Sequence, residues 1–159
     1  MQTLMGNEIG GMSELLANLY GVTGKEEYLT LSRRFQENDL MESFAGGEDP
    51  LDGRHANSRI PRFVGTARQY ALTADPVLWT TASNFWNFVT GERGYVTGGN
   101  SSAEKFSPKA WLSLFHHYNT CETCNSYNML KLTRALFTIE PRAAYADYFA
   151  DEGTMFPIW

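Results

Sequence analysis

Cysteine, basic clusters and long apolar runs are what this sequence has least of, and each shortage removes a class of protein. Its 159 residues include two cysteines, Cys121 and Cys124, both inside one four-residue motif. Cysteines that close cannot staple a small fold, so a disulfide framework is excluded and the motif points to metal or thiol chemistry. No basic run is longer than Arg33-Arg34 and the formal charge is −5. That leaves no positive footprint for a phosphate backbone and excludes nucleic acid as a partner. No stretch reaches the ~18 to 20 uninterrupted apolar residues a bilayer demands, so no membrane span is expected. The opening residues, Met1-Gln-Thr-Leu-Met-Gly-Asn-Glu8, lack both the basic and the apolar segment of a signal peptide. The chain as it stands reads as soluble and cytoplasmic.

What is present is material for a core. Aromatic residues make up 14% of the chain and hydrophobic residues 43%, a composition that excludes disorder as the state of the whole. The length suits one domain.

Helical periodicity dominates. Met12, Leu15, Leu16, Leu19 and Tyr20 fall at i, i+3, i+4, i+7 and i+8, which predicts one buried helix face. Gly21 and Gly24 bracket a turn, and Tyr28, Leu31 and Phe35 resume a helical stripe, so this segment reads as a helical hairpin. After the glycine-rich, acidic break at 45–53 a second hairpin is expected, its first helix over about residues 57–72. Its second helix opens at Asp75 as N-cap with Pro76 in the first turn. Leu78, Trp79, Ala82, Phe85, Trp86 and Val89 line that helix's buried face. A third hairpin spans about residues 121–150, with Pro141 in the first turn of its second helix. The three turns share an aromatic residue, a short polar stretch and an apolar residue entering the next helix, a weak internal repeat that suggests stacked helix pairs. Strand-like alternation is limited to Gly94-Tyr-Val-Thr97. The intervening segment 91–120 is too long for a bundle connection, where ~2 to 8 residues are usual. Its aromatics Tyr95, Phe106, Trp111, Phe115 and Tyr118 favour an ordered loop lining a site.

Cys121-Glu-Thr-Cys124 supports three readings: half a zinc site, a redox pair, or two small buried residues. No βαβ pattern surrounds it to favour the redox pair. His116-His117 is too closely spaced to complete a structural zinc site. Glu122 lies three residues after Asn119, a capping-box spacing that accounts for a glutamate without chemistry. Residues 122 and 124 are roughly 200° apart on a regular helix at ~3.6 residues per turn, so they share a ligand only at a turn or an irregular helix start. Glu104, in a glycine-rich loop, and His55, at a helix start, both have ordinary surface or capping roles open to them.

Four segments together resemble the β-L-arabinofuranosidases of glycoside hydrolase family 127 and the related family 146. They are Gly10-Gly-Met-Ser-Glu-Leu-Leu16, Asp49-Pro-Leu-Asp-Gly-Arg-His-Ala-Asn57, Tyr95-Val-Thr-Gly-Gly-Asn100 with Glu104-Lys-Phe106, and Asn119-Thr-Cys-Glu-Thr-Cys-Asn-Ser-Tyr-Asn-Met-Leu-Lys-Leu-Thr133. The resemblance implies an all-α fold, with helical hairpins forming about half of an (α/α)6 barrel over residues 1–150 and a divergent tail over 151–159. It also implies a glutamate acid/base, matched by Glu104, and zinc, with Glu122 and Cys124 matching two ligands. His55 matches a sugar contact, and Ser13 and Glu14 lie near the pocket by the same likeness. Cys121 matches no ligand of the family pattern. The family's nucleophile comes from an adjacent Cys-Cys pair, and no such pair occurs in these residues.

The resemblance therefore implies a partial retaining glycosidase for arabinose-containing oligosaccharides or glycans, with an incomplete zinc site and no turnover on its own. The resemblance also implies that the parent family can be periplasmic, entering by a signal peptide. The competing expectation is a non-catalytic helical-repeat module that binds carbohydrate or peptide in an aromatic groove. A third is an unfolded remnant whose exposed apolar faces drive self-association.

Overall fold

Residues 9–95, 98–109 and 120–155 are described by a computed structural model of the chain, with side chains as far as Asp151. Apolar residues three and four apart give seven helices among the described residues. They are α1 (Gly11–Thr23), α2 (Glu26–Arg34), α3 (Asn38–Ala45), α4 (Ala56–Thr73), α5 (Pro76–Glu92), α6 (Thr123–Ile139) and α7 (Ala143–Met155). The fold is all-α. The sharpest local signals act as the sequence predicts. Gly24 ends α1 in the left-handed region at φ 68°. The Asp75 carboxylate accepts the Val77 amide at 3.1 Å and Pro76 opens α5.

Three helices run side by side in the same direction. Gly10 lies against Pro61 and Arg62, Gly65 against Ser13 and Glu14, and Gly21 against Leu72, so positions along α1 and α4 rise together. Asn57 at the start of α4 accepts a bond from Asn128 of α6 at 2.7 Å. Farther along, Ala71 and Ile139 line the same groove. The starts of α1, α4 and α6 therefore gather at one end. Close approach of α1 and α4 depends on small residues: a Cβ on Gly65 would stand 2.5 Å from the Ser13 hydroxyl.

The returning helices carry most of the aromatic core. Phe63 of α4 stacks on Phe85 of α5 at 3.7 Å between centroids, and Phe44 of α3 meets both edge-on. Trp86 extends the cluster to Tyr145 of α7 at 4.6 Å, and its indole N–H donates to Thr133 of α6 at 2.8 Å. These side chains are buried with Leu40, Ile60, Met129, Leu132 and Leu136.

Several expectations are corrected. The apolar stripe of α1 faces the core only in part, through Leu16. Ser13, Leu16 and Ala17 are buried, whereas Met12, Leu15 and Leu19 are exposed; α1 is turned so that Ser13 meets Gly65 of α4 at the point of closest approach, where only a small side chain fits. Helix α3 occupies residues the sequence reading left unassigned; Leu40 and Phe44, four apart, are its buried face. Leu78 and Trp79 are only partly buried in α5. Pro141 precedes α7 rather than entering its first turn, and α7 runs past residue 150. Among the described residues there is no extended strand, only isolated bridges; Val96 and Thr97 of the strand-like stretch lie outside the described residues, as do Trp111, Phe115 and Tyr118.

Phe63 has no exposed surface and touches two other rings. Phe63→Ala is expected to lower the unfolding free energy by about 3 to 5 kcal/mol. Urea denaturation followed by circular dichroism checks this; a loss under about 1 kcal/mol would contradict the stacked core.

Candidate active site

The gathered helix starts bring together residues distant in sequence. His55 is the N-cap of α4: its backbone is extended and its ring accepts the Ser58 amide through Nδ1 at 3.4 Å. A neutral ring that accepts at Nδ1 must carry its proton on Nε2. That nitrogen lies 3.3 Å from Oε2 of Glu104, so the capping bond fixes the tautomer that donates to the carboxylate.

Glu104 reaches this position through an unfavourable turn. Ser102 and Lys105 exchange backbone bonds at 2.8 and 3.1 Å, which closes a two-residue hairpin over Ala103 and Glu104. Both central residues have positive φ, 47° and 66°, as a type I′ turn requires, a turn that prefers Asn-Gly. Two non-glycine residues in the left-handed region cost of order 1 kcal/mol or more each. The turn is held against α4 by the Ala56 amide, which donates to the Glu104 carbonyl at 2.8 Å, and by two further bonds, Gly53 N–H to Phe106 O and Phe106 N–H to Arg54 O, each 2.9 Å. Its side chain is 61% exposed, so the carboxylate is presented to solvent and not consumed by packing.

Glu122 completes the cluster from the third helix. It is the N-cap of α6, with extended backbone, and not the third helical residue of a capping box; Asn119 lies outside the described residues. Burial, then the charge of Glu104, pushes its carboxyl above the ordinary glutamate pKa, and His55 partly opposes them. Cys124 follows in the first turn of α6 and is exposed. Because Glu122 is extended, the 200° separation of a regular helix does not apply to the pair. Cys121 packs on the glycine loop: a Cβ on Gly99 would stand 2.6 Å from its sulfur and 2.5 Å from the Thr120 carbonyl. Only glycine lets residues 98–102 lie on the segment before α6, which gives Cys121 a packing role. Among the described residues neither cysteine is in a disulfide, and no three His, Cys, Asp or Glu side chains converge as metal ligands. Glu122 and Cys124 by themselves do not satisfy zinc's preference for four ligands.

Ser13 and Glu14 have other partners. Ser13 is fully buried between α1, α2 and α4, where Gln69 donates to it at 3.2 Å and Ser32 donates to its carbonyl at 2.5 Å. Glu14 pairs with Lys131 across a groove of about 360 Å³ between α1 and α6, floored by Val64, Ala67 and Ala71. The sequence reading missed Arg93, which is buried and anchors the loops that carry His55 and Glu104. Its carboxylate partners, Asp49 and Asp52, lie more than 40 residues upstream, so no local pattern marks it.

An all-α domain with a carboxylate and imidazole cluster at the starts of parallel helices is what these elements define. The family described as Beta-L-arabinofuranosidase, GH127 catalytic domain, matches residues 1–153, and the chain belongs to it. A curated relative, the non-reducing end beta-L-arabinofuranosidase of Bifidobacterium longum subsp. longum, is 28% identical over 170 residues, covering 86% of this chain. The chain spans about a quarter of that relative's length, 26%. Among the described residues no helix is long and apolar enough to cross a membrane.

The raised carboxyl of Glu122 gives a signed expectation. Its proton is held more tightly in the folded chain, so its contribution to stability is full below the ordinary value of 4.5 and is lost as pH rises through the raised value. Glu122→Gln is therefore expected to gain stability relative to wild type as pH climbs from about 4 to 7. Thermal melts in chelator across that range check it; a constant difference between the two proteins would contradict the shift.

Proposed function

We propose that this chain supplies the acid/base side of a glycoside hydrolase site acting on β-L-arabinofuranosides. The observation that carries the reading is the His55–Glu104 contact at 3.3 Å, presented to solvent on a strained turn where the starts of α4 and α6 meet. Family membership and the arabinofuranosidase relative support the substrate class. The parallel α1, α4 and α6 with returning α5 and α7 suit part of an (α/α)6 barrel, whose inner helices run in one direction.

In this reading Glu104, protonated, gives its proton to the departing glycosidic oxygen; as carboxylate it then takes one from the water that releases the sugar. His55 orients that carboxyl through Nε2–H and contacts the sugar at its rim. Glu122 and Cys124 would contribute two ligands to a zinc ion, which supplies Lewis-acid and thiolate-activating chemistry when bound. The partner of Glu104 in a retaining mechanism has no counterpart in these 159 residues, whose two cysteines both belong to the CxxC motif. The chain by itself is therefore expected to bind sugar without turnover.

Calorimetric titration with a β-L-arabinofuranosyl disaccharide tests the reading. Saturable heat is expected with the wild type, weakened about tenfold in His55→Ala, the loss of roughly one hydrogen bond's worth of affinity. No saturable heat, or equal binding by His55→Ala and Glu104→Gln, would sink it. Metal analysis of Cys124→Ser against wild type after dialysis with zinc tests the ligand assignment separately.

A further inference from the structure

One guanidinium ties the end of α5 to the two chain segments that carry His55 and Glu104. Arg93 caps the C-terminal end of α5 and has no exposed surface. Its Nε donates to Oδ2 of Asp49 at 2.9 Å, a carboxylate that is itself fully buried. Nη2 donates to Asp52 at 2.7 Å, and Nη1 donates to the backbone carbonyl of Ser107. The guanidinium also lies 5.9 Å from the centre of the buried Phe106 ring. Asp49 and Asp52 belong to the loop that ends at His55; Phe106 and Ser107 belong to the segment that carries Glu104. These two segments are the ones zipped by the bonds from Gly53 to Phe106, Phe106 to Arg54, and Ala56 to Glu104.

The fork geometry explains why arginine stands here. Three acceptors in three directions are met by one rigid, planar group with donors at fixed angles, whereas a lysine ammonium brings charge without that fork. Lys109, 3.3 Å from the same Asp49 oxygen and 2.7 Å from Glu92, adds a second cation at the edge of the cluster. Buried charge is costly unless fully paired, so the arrangement is stable only as a complete set and has one geometry. The strained turn at Ala103 and Glu104 needs such an anchor, because on its own it would relax toward negative φ.

We infer that Arg93, through Asp49, Asp52 and the Ser107 carbonyl, is the positioning residue that sets the contact between His55 and Glu104. It touches neither side chain, so it acts by fixing the two backbone segments from which they project. The inference rests on the reading of His55 and Glu104 as the reacting pair. Its test reads their contact directly and not sugar chemistry, so the two can fail separately.

The measurement is made on the 159-residue chain at a single pH. Long-range proton–nitrogen spectra give the His55 ring pattern, with Glu104→Gln defining the pattern when the carboxylate contact is removed. Amide exchange is followed in the same samples. Arg93→Lys is expected to bring His55 to the Glu104→Gln pattern and to speed exchange of the Gly53, Ala56 and Phe106 amides at least tenfold, while amides in the middle of α4 and α5 keep wild-type protection. If Arg93→Lys does not fold, Asp52→Asn decides. It removes one arm at a carboxylate that is 60% exposed and is expected to shift His55 part of the way with the same local loss of protection. A wild-type His55 pattern in the deciding variant overturns the inference. So does an exchange increase spread evenly over the core helices, which would make Arg93 a general stabiliser only.

Discussion

The close, parallel packing of α1, α4 and α6 is the constraint on which the rest of the structure depends. It is set by the smallest residues in the chain. Gly65 lets the backbone of α1 lie against α4, with Ser13 and Ala17 in the gap, and the buried bonds among Ser13, Ser32 and Gln69 fix the register of that contact. Because the three helices run the same way, their starts coincide, and helix starts leave backbone N–H groups unsatisfied. His55 and Glu122 are both N-cap residues, so the architecture that aligns the helices also aligns the side chains of the candidate site. Glu104 is brought to them by a separate device, the hairpin turn on the 98–109 segment.

Capping and the contact with Glu104 are joined at His55. A capping serine or aspartate would serve α4 as well or better, but neither presents a second polar atom on the far side. The imidazole accepts from Ser58 with one nitrogen and meets Glu104 with the other, so the helix terminus selects the tautomer used by the site. Strain follows the same division of labour. The left-handed Ala103 and Glu104 are unfavourable locally and are kept in place by backbone bonds to residues 53–56 and by the buried charge cluster around Arg93. Stability elsewhere, chiefly the aromatic stack of Phe44, Phe63 and Phe85, offsets that cost.

Much of this was legible before the structure, and the rest was not for identifiable reasons. Asp75-Pro76 marked the start of α5 and Gly24 the end of α1, because caps and left-handed turns are local chemistry. The grouping of His55, Glu104 and Glu122 came from the family resemblance; nothing in their spacing of 49 and 18 residues announces proximity. Periodicity misassigned the face of α1, since a tight helix crossing buries Ser13 and Ala17 in preference to Met12, Leu15 and Leu19. Glu122 was read as a third helical residue because the asparagine three places before it satisfied a capping-box pattern, whereas Glu122 is itself the cap. No local pattern marks Arg93, because its partners are tertiary, or the packing role of Cys121, because it depends on the tertiary approach of Gly99 to its sulfur.

The central claim is that Glu104 and Glu122, from different segments, share one electrostatic environment at the helix starts. Titration of the Glu122 carboxyl by carbon NMR in metal-free wild type and Glu104→Gln tests it most directly. Removing the Glu104 charge is expected to lower the Glu122 pKa, leaving the part of its elevation that comes from burial. An unchanged Glu122 titration in Glu104→Gln would contradict the shared site.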